Sequence, residues 1–360
     1  MVPSNEDELA KIVRDASGPL AVSGGGTRGV SVEGQKLATS GLSGITLYEP
    51  GALTLVVKAG TPLAEVEAAL AAEGQRLAFE PSDLRTLMGS DGTPTIGGVV
   101  ATNASGPRRI QVGASRDHLL GVRFVDGSGH IVKNGGRVMK NVTGYDLVKL
   151  MAGSHGTLGV MTEVSLKVLP IPQATATVHV AGLDDAQAVA AMSAALGSPY
   201  DVTGAACIDG TVMVRLEGFA DSVDYRARRL AAELGVFGPA TVEEADWQSL
   251  RDCTAYADRP GDVWRVSVRP SAMPDTVAAL RAGGDVTVTA DWGGGLLWVL
   301  CAPNRDLRRD IAGGHATRVR GADDPAIPRF HPEPATNAAL AAGLRQRFDP
   351  RGILNAGVMG

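Results

Sequence analysis

Three consecutive glycines interrupt an apolar run near the start of the chain. Pro19–Val22 reads as a β-strand and passes directly into Ser23-Gly24-Gly25-Gly26-Thr27-Arg28-Gly29. Without Cβ atoms, successive amides can turn toward one point, and Thr27 adds a hydroxyl donor, so the loop suits an anion. By itself it reads equally well as a plain turn, being neither GxGxxG before a helix nor GxxxxGKS. Three further small-residue loops follow it. Thr95-Ile96-Gly97-Gly98 leads into Val99–Gly106, Ser115-Arg116-Asp117 precedes a strand, and Gly153, Gly156, Thr157, Leu158 and Gly159 precede the strand from Val160. The 360 residues include 46 glycines but only four Trp, five Tyr and six Phe. Either loops are very numerous or backbone must approach a ligand closely. Four such loops in order form a pattern that lets a flat ligand lie against the main chain.

A length of 360 residues, 44% of them hydrophobic and 20% charged, suits two domains with sizeable cores and excludes a disordered or collagen-like chain. A net charge of −5 gives no broad electrostatic case for nucleic acid or an anionic membrane. Cys207, Cys253 and Cys301 lie far apart, without a CxxC pair, which disfavours a zinc ribbon, an iron–sulfur cluster or a disulfide scaffold within the chain. The six histidines form no HExxH or other tight ligand pair. No basic segment leads to an apolar one at the N-terminus, and no run of 18 apolar residues occurs. The expectation is a cytoplasmic protein without a membrane span.

The chain changes rhythm at Pro170 and Pro172, where a domain boundary is expected. Before it, β-rich runs alternate with glycine loops, and Leu119–Val125 and His130–Lys133 flank Asp126-Gly127-Ser128-Gly129 as a hairpin. Thr61-Pro62 is expected to cap a helix through Leu63, Val66 and Leu70. After it, a βαββα order occurs twice: first from Ala174 to Leu234, then as Val263–Val268, Met273–Leu280, Val286–Ala290, Leu296–Leu300 and a helix at Asp306–Ile311. Two such units predict a ferredoxin-like antiparallel sheet with helices on one face, so the fold class is α+β. Residues 335–360 form a last helix and a tail that returns to the first domain.

The loops together resemble a family. SGGGTRG at 23–29, VKAGTPL at 57–63, TIGGVVATNASG at 95–106, GASRDHLLG at 113–121 and HGTLGVMTEVSLKV at 155–168 resemble the FAD-binding domain of the vanillyl-alcohol oxidase, or PCMH-type, flavoproteins. That domain, built from two α/β subdomains, would span residues 1–170. The resemblance implies that Val22, Ser23, Gly24, Gly25, Gly26, Thr27 and Arg28 hold the FAD pyrophosphate. The stretch from Asp91 to Ile96, with Pro81, Gly97, Gly98, Thr102, Asn103, Ala104 and Ser105, would line the flavin. The segment from His155 through Gly156, Thr157, Leu158, Gly159 and Val160 to Met161 would close over the adenosine side. Within this superfamily, SGPRR at 105–109, KNVTGYDLVKLMAGSHGTLGVMTEVSLKVLP at 140–170, FHP at 330–332 and FDPRGILNAG at 348–357 resemble the FAD-binding E subunits of bacterial glycolate oxidase. Two departures matter. Where members with covalent flavin often carry histidine, this chain has Gly26, which implies non-covalent FAD. The C-terminal histidine-rich metal motif of the D-lactate and 2-hydroxyglutarate dehydrogenases is missing.

Oxidising a 2-hydroxy acid requires a cation for the carboxylate and a base for the hydroxyl proton. Arg108 and Arg109 follow the small-residue loop, and His315 and His331 lie in glycine- or proline-rich stretches. Arg109 and His315 are the catalytic candidates, set against surface and structural readings. Capping is the bland reading for Tyr145-Asp146, core packing for Trp292 and Trp298, and a solvated helix face for Arg226, Arg228 and Arg229. The resemblance implies a complex with a second FAD subunit and an iron–sulfur subunit, with electrons leaving toward quinone. Two rivals stand beside it: a flavin-bearing or structural assembly subunit without turnover, and a free-standing FAD-dependent α-hydroxy-acid dehydrogenase.

Overall fold

The computed structural model describes residues 1–137 and 144–359. Lys140–Thr143, which open one of the resembling segments, lie outside the described residues. At the N-terminus, helix Glu6–Asp15 is capped by the Asn5 side chain and buries Leu9, Ala10 and Val13. It packs beside a parallel pair, β1 (Leu20–Ser23) and β2 (Gln35–Ala38). The strands that follow are β3 (Ile45–Glu49), β4 (Thr54–Lys58), a short β5 (Gln75–Arg76), β6 (Leu119–Val125), β7 (Ile131–Gly135), β8 (Val160–Lys167) and a short β9 (Leu169–Pro170). Five of them form an antiparallel sheet in the order β3-β4-β8-β6-β7. Long apolar runs make its centre: Leu55, Val57, Val164, Leu166 and Phe124 are all fully buried. Helix Leu63–Ala72 covers this sheet through Leu63, Val66 and Leu70. Its expected cap is absent. The Thr61 hydroxyl instead bonds the Lys58 carbonyl at 2.7 Å and accepts the Gly44 amide at 2.9 Å, closing the preceding turn.

The second half is one eight-stranded antiparallel sheet. Its strands are β10 (Ala174–Val180), β11 (Val202–Ile208), β12 (Thr211–Gly218), β13 (Ala240–Glu243), β14 (Asp262–Ser267), β15 (Val286–Asp291), β16 (Leu296–Cys301) and β17 (His315–Arg320). They run in the order β13-β10-β12-β11-β15-β16-β14-β17. The two expected units are present and join edge to edge where Cys207 and Ile208 pair with Ala290 and Thr289. Helices Asp185–Leu196, Ala220–Leu234 and Met273–Ala282 pack on one face, as the pattern predicts. The helix expected at Asp306–Ile311 is only a single 3₁₀ turn, Leu307–Arg309, capped by Asp306; Gly313 and the left-handed Gly314 then lead the chain into strand pairing with β14. Arg226 is not a solvated charge either: its guanidinium bonds the Tyr200 and Glu217 carbonyls at 2.7 and 2.8 Å.

The bare face of this sheet meets the first half through a buried ion cluster. Arg215 on β12 donates two bonds to Glu80, at 2.8 and 2.9 Å. Glu217, on the same face, accepts from Arg108 and, at 3.0 Å, from Arg76. Arg108 and Arg215 are only 3% and 4% exposed. The tail returns to the start of the fold. Phe348 packs on Phe124, and Leu354 bridges Leu20.

Burial alone would raise the Glu217 carboxyl pKa, but Arg215 and Arg108 hold it down at about 2 against 4.5 for an ordinary glutamate. A depressed folded-state pKa stabilises above the unfolded value, and that contribution is lost as pH falls from about 4.5 through 2. Acid unfolding of the wild type should therefore steepen across this window. Glu217→Gln should flatten that limb and, at neutral pH, cost about 3–5 kcal/mol by depriving the buried Arg108 guanidinium of its close carboxylate, measured by urea denaturation.

Candidate functional site

Between the two sheets the small-residue loops converge on one cleft. Its narrow end is walled by Val22–Arg28, Thr95 and Gly98 from the first half and by Asn355 from the tail. The backbone amides of Gly24, Gly25, Gly26, Thr27 and Arg28 have no hydrogen-bond acceptor among the described residues. Five free donors on one loop form an anion cradle. Gly97, Gly156, Gly159 and Val160 line a branch on one side. Thr102, Asn103, Ala104, Ser105 and Arg109 line the wider end.

The glycines serve different purposes. A Cβ on Gly25 would lie 1.6 Å from the Thr93 carbonyl oxygen, and one on Gly24 would lie 2.3 Å from Thr95 Oγ1. These two glycines are required by the fit of the loop against segment 93–95 rather than by ligand approach. Gly26 has open space around its Cβ position but a φ of +67°. With no side chain there, Gly26 offers no atom for a covalent flavin bond.

Several expected contacts do not line the cleft. Ile96 is fully buried in the core beside Val99 and Val100, and Leu158 packs in that same core. Thr157 turns its hydroxyl to the Ser154 carbonyl at 2.7 Å. Pro81 is buried away from the cavity lining, and Asp91 is exposed on its loop. His331 accepts the Ala316 amide at 3.2 Å and so supports a strand end. Asp146 caps the helix after it, as expected.

Two residues that the sequence did not mark contribute to the site. Asn355 accepts the Val22 amide at 2.7 Å and donates to the His155 carbonyl at 2.8 Å, tying loop 23–28 to loop 155–159. The expected return of the tail to the first domain and the FDPRGILNAG resemblance pointed at that segment, without giving Asn355 a role. Arg265, on β14, projects into the wide end of the cleft from the bare face of the sheet. Its guanidinium and that of Arg109 lie 5.0 and 4.4 Å from the Trp292 ring centroid, within cation–π range. No carboxylate among the described residues lies within salt-bridge distance of either arginine. Burial, and then the charge of Arg109, holds the Arg265 pKa down at about 10. His315 stands two residues along β17 from Thr317, which pairs with Arg265. The residue is exposed at the start of the strand and lines none of the cleft; partial desolvation and the charges of Arg265, His331 and Arg109 hold its imidazole below the ordinary histidine range. Inside the cleft His155 is held at about 4 by burial, Arg329 and Arg28.

Residues 1–135 match the family model described as an FAD binding domain. Over 354 residues, 95% of this chain and 92% of the relative, the sequence is 35% identical to glycolate oxidase subunit GlcE of Escherichia coli. The chain belongs to the GlcE family. Glycolate oxidase subunit GlcD of Bacillus subtilis is 30% identical over 188 residues, 49% of this chain and 38% of that one. In fold, the chain resembles alkyldihydroxyacetonephosphate synthase, with a TM-score of 0.68, 17% identity and coverage of 99% of this chain and 75% of that one. FAD is the cofactor of this family, and the free amides of loop 24–28 fit its diphosphate.

Gly25→Ala forces backbone against backbone and should lower Tm by roughly 5 °C or more, at about 2–4 °C per kcal/mol for domains of this size. Gly26→Ala has room and should cost only about 1 kcal/mol for its left-handed backbone. Thermal melts of the two variants side by side check the distinction.

Proposed function

We propose that this chain holds FAD non-covalently as a subunit of a 2-hydroxy-acid dehydrogenase of the glycolate oxidase type. Residues 1–170 would be the cofactor half, residues 171–334 the substrate half and residues 335–360 the closing tail. One observation carries the reading. Arg109 and Arg265, whose guanidiniums have neither a salt bridge nor a hydrogen bond among the described residues, converge on the end of the cleft beyond the cradle of free amides.

Guanidinium groups in a desolvated cleft bind a planar carboxylate through charge-assisted bonds. Trp292 fixes both arginines by presenting its ring to them, while its own Nε1 donates to the Gly106 carbonyl at 3.0 Å. We assign the hydroxyl proton to His315, which shares the sheet face of Arg265 and whose imidazole is held below the ordinary histidine range. FAD, when bound, supplies the two-electron acceptor for the α-hydrogen. Small residues at 102–105 leave room for a flat ring system at the junction between cradle and arginines.

The GlcE and GlcD relatives are both named as subunits of glycolate oxidase, which supports a companion flavoprotein. The three cysteines here are all buried. We assign onward electron transfer to an iron–sulfur subunit, toward quinone. No helix among the described residues is long and apolar enough to cross a membrane, and we place the work of the complex on the cytoplasmic side.

Acid precipitation should release all yellow colour into the supernatant. Flavin retained in the pellet counts against the non-covalent reading. With the companion subunits co-expressed, Arg265→Met should retain FAD and lose roughly tenfold to a hundredfold in kcat/KM for glycolate. That range corresponds to a buried charge-assisted bond of about 1.5–3 kcal/mol. A change below threefold would refute the carboxylate assignment. The rate should fall toward acid pH as His315 protonates, with a midpoint below about 6.5, and His315→Gln should remove that limb.

A further inference from the structure

Arg108 and Arg109 are adjacent in sequence but have opposite surroundings. Arg109 faces the cleft without a carboxylate partner, whereas Arg108 is buried at 3% exposure and spent on Glu217. The Arg108 amide donates to Glu80 Oε2 at 2.8 Å, and the Gly106 amide donates to the Phe79 carbonyl at 2.9 Å. Trp292 holds the Gly106 carbonyl in turn. The backbone leading into Arg109 is therefore pinned at two points to residues 79–80. Glu80 itself adopts φ +50°, a left-handed conformation that non-glycine residues keep only where their surroundings over-determine it. Its carboxylate binds the Arg215 fork, which reaches it from the second sheet. A Cβ on Gly106 would meet the Glu80 carbonyl oxygen at 2.5 Å, so the two segments are in direct backbone contact.

We propose that Glu80 is a positioning residue for the anion site. By joining Arg215 to the Arg108 amide it sets Arg109 against Trp292 and opposite Arg265. Glu80 touches neither Arg109 nor the ligand in this account. It acts through the turn that Arg109 occupies. The inference rests on the reading of Arg109 and Arg265 as a carboxylate site and adds what holds that site in shape.

The test is a double-mutant cycle on the FAD-loaded protein. Oxalate serves as the probe, and its binding is followed by the perturbation of flavin absorbance. Glu80→Gln should raise the oxalate Kd roughly tenfold, within the coupling range of side chains in one network, with FAD content unchanged. In an Arg109→Met background the same substitution should leave the oxalate Kd unmoved, because the residue it positions is gone. Arg108→Gln, which cuts the cluster elsewhere, should show the same dependence on Arg109. Additive effects in both cycles overturn the positioning role and leave the anion site standing. If the wild type fails to bind oxalate, the anion site itself is refuted and the inference falls with it. Loss of fold or of FAD in both Glu80→Gln and Arg108→Gln marks the cluster as merely structural and also overturns the proposal.

Discussion

The contact between Arg215 and Glu80 joins the two sheets on which every feature of the cleft depends. Either charge alone, buried at that depth, would be strongly unfavourable, and a fork-shaped pair with further bonds offsets the desolvation. Glu217 extends the pair into a cluster that also takes Arg108 and Arg76. The geometry is specific where apolar packing would not be. Greasy surfaces can slide by a fraction of a side chain, but a two-point bond between planar groups fixes both separation and angle. The two layers therefore meet with the cleft at a defined width.

Electrostatics within the cleft follows from that seam. The other arginines at the cleft spend their donors on backbone carbonyls or face a carboxylate: Arg28 on the Ser82 carbonyl, Arg329 on the Arg28 and Val319 carbonyls, Arg318 facing Asp262. Arg109 and Arg265 stand apart: among the described residues their guanidiniums make no salt bridge or hydrogen bond and lie against an aromatic ring. A ring stabilises a cation by about 0.5–2 kcal/mol without using up its hydrogen-bond donors. The donors remain available for a ligand, and this distinguishes a prepared site from an ordinary ion pair.

The legible part of the molecule was the part written in short range. Loop 23–29 could be read because glycine spacing and a preceding strand are local, and hairpin 119–135 because its turn chemistry is. The helix face of the second sheet followed from periodicity. Arg265 was not legible: within Val263–Val268 it looked like any outward residue of a strand, and its value comes from β17 and Trp292, both distant in sequence. Arg108 and Arg109 were indistinguishable as neighbours until Glu217 claimed one of them. Ile96 and Leu158 sat inside correct motifs, yet the helix and loop turn them into the core. Strand β17 was missed because His315–Arg320 carries only two apolar residues, Ala316 and Val319, and no clear alternation. Pairing with β14 decided the outcome.

The tail contact has a consequence for how the protein is made. Asn355 bonds Val22 across 333 positions, so loop 23–28 lacks one of its supports until the last turn of the chain has folded back. Leu354 and Ile353 likewise fill the core beneath β1 only at the end. During synthesis the cradle amides are already outside the ribosome while their final brace is still being translated. A nascent chain stalled before residue 355 would lack this brace and carry a half-built cleft.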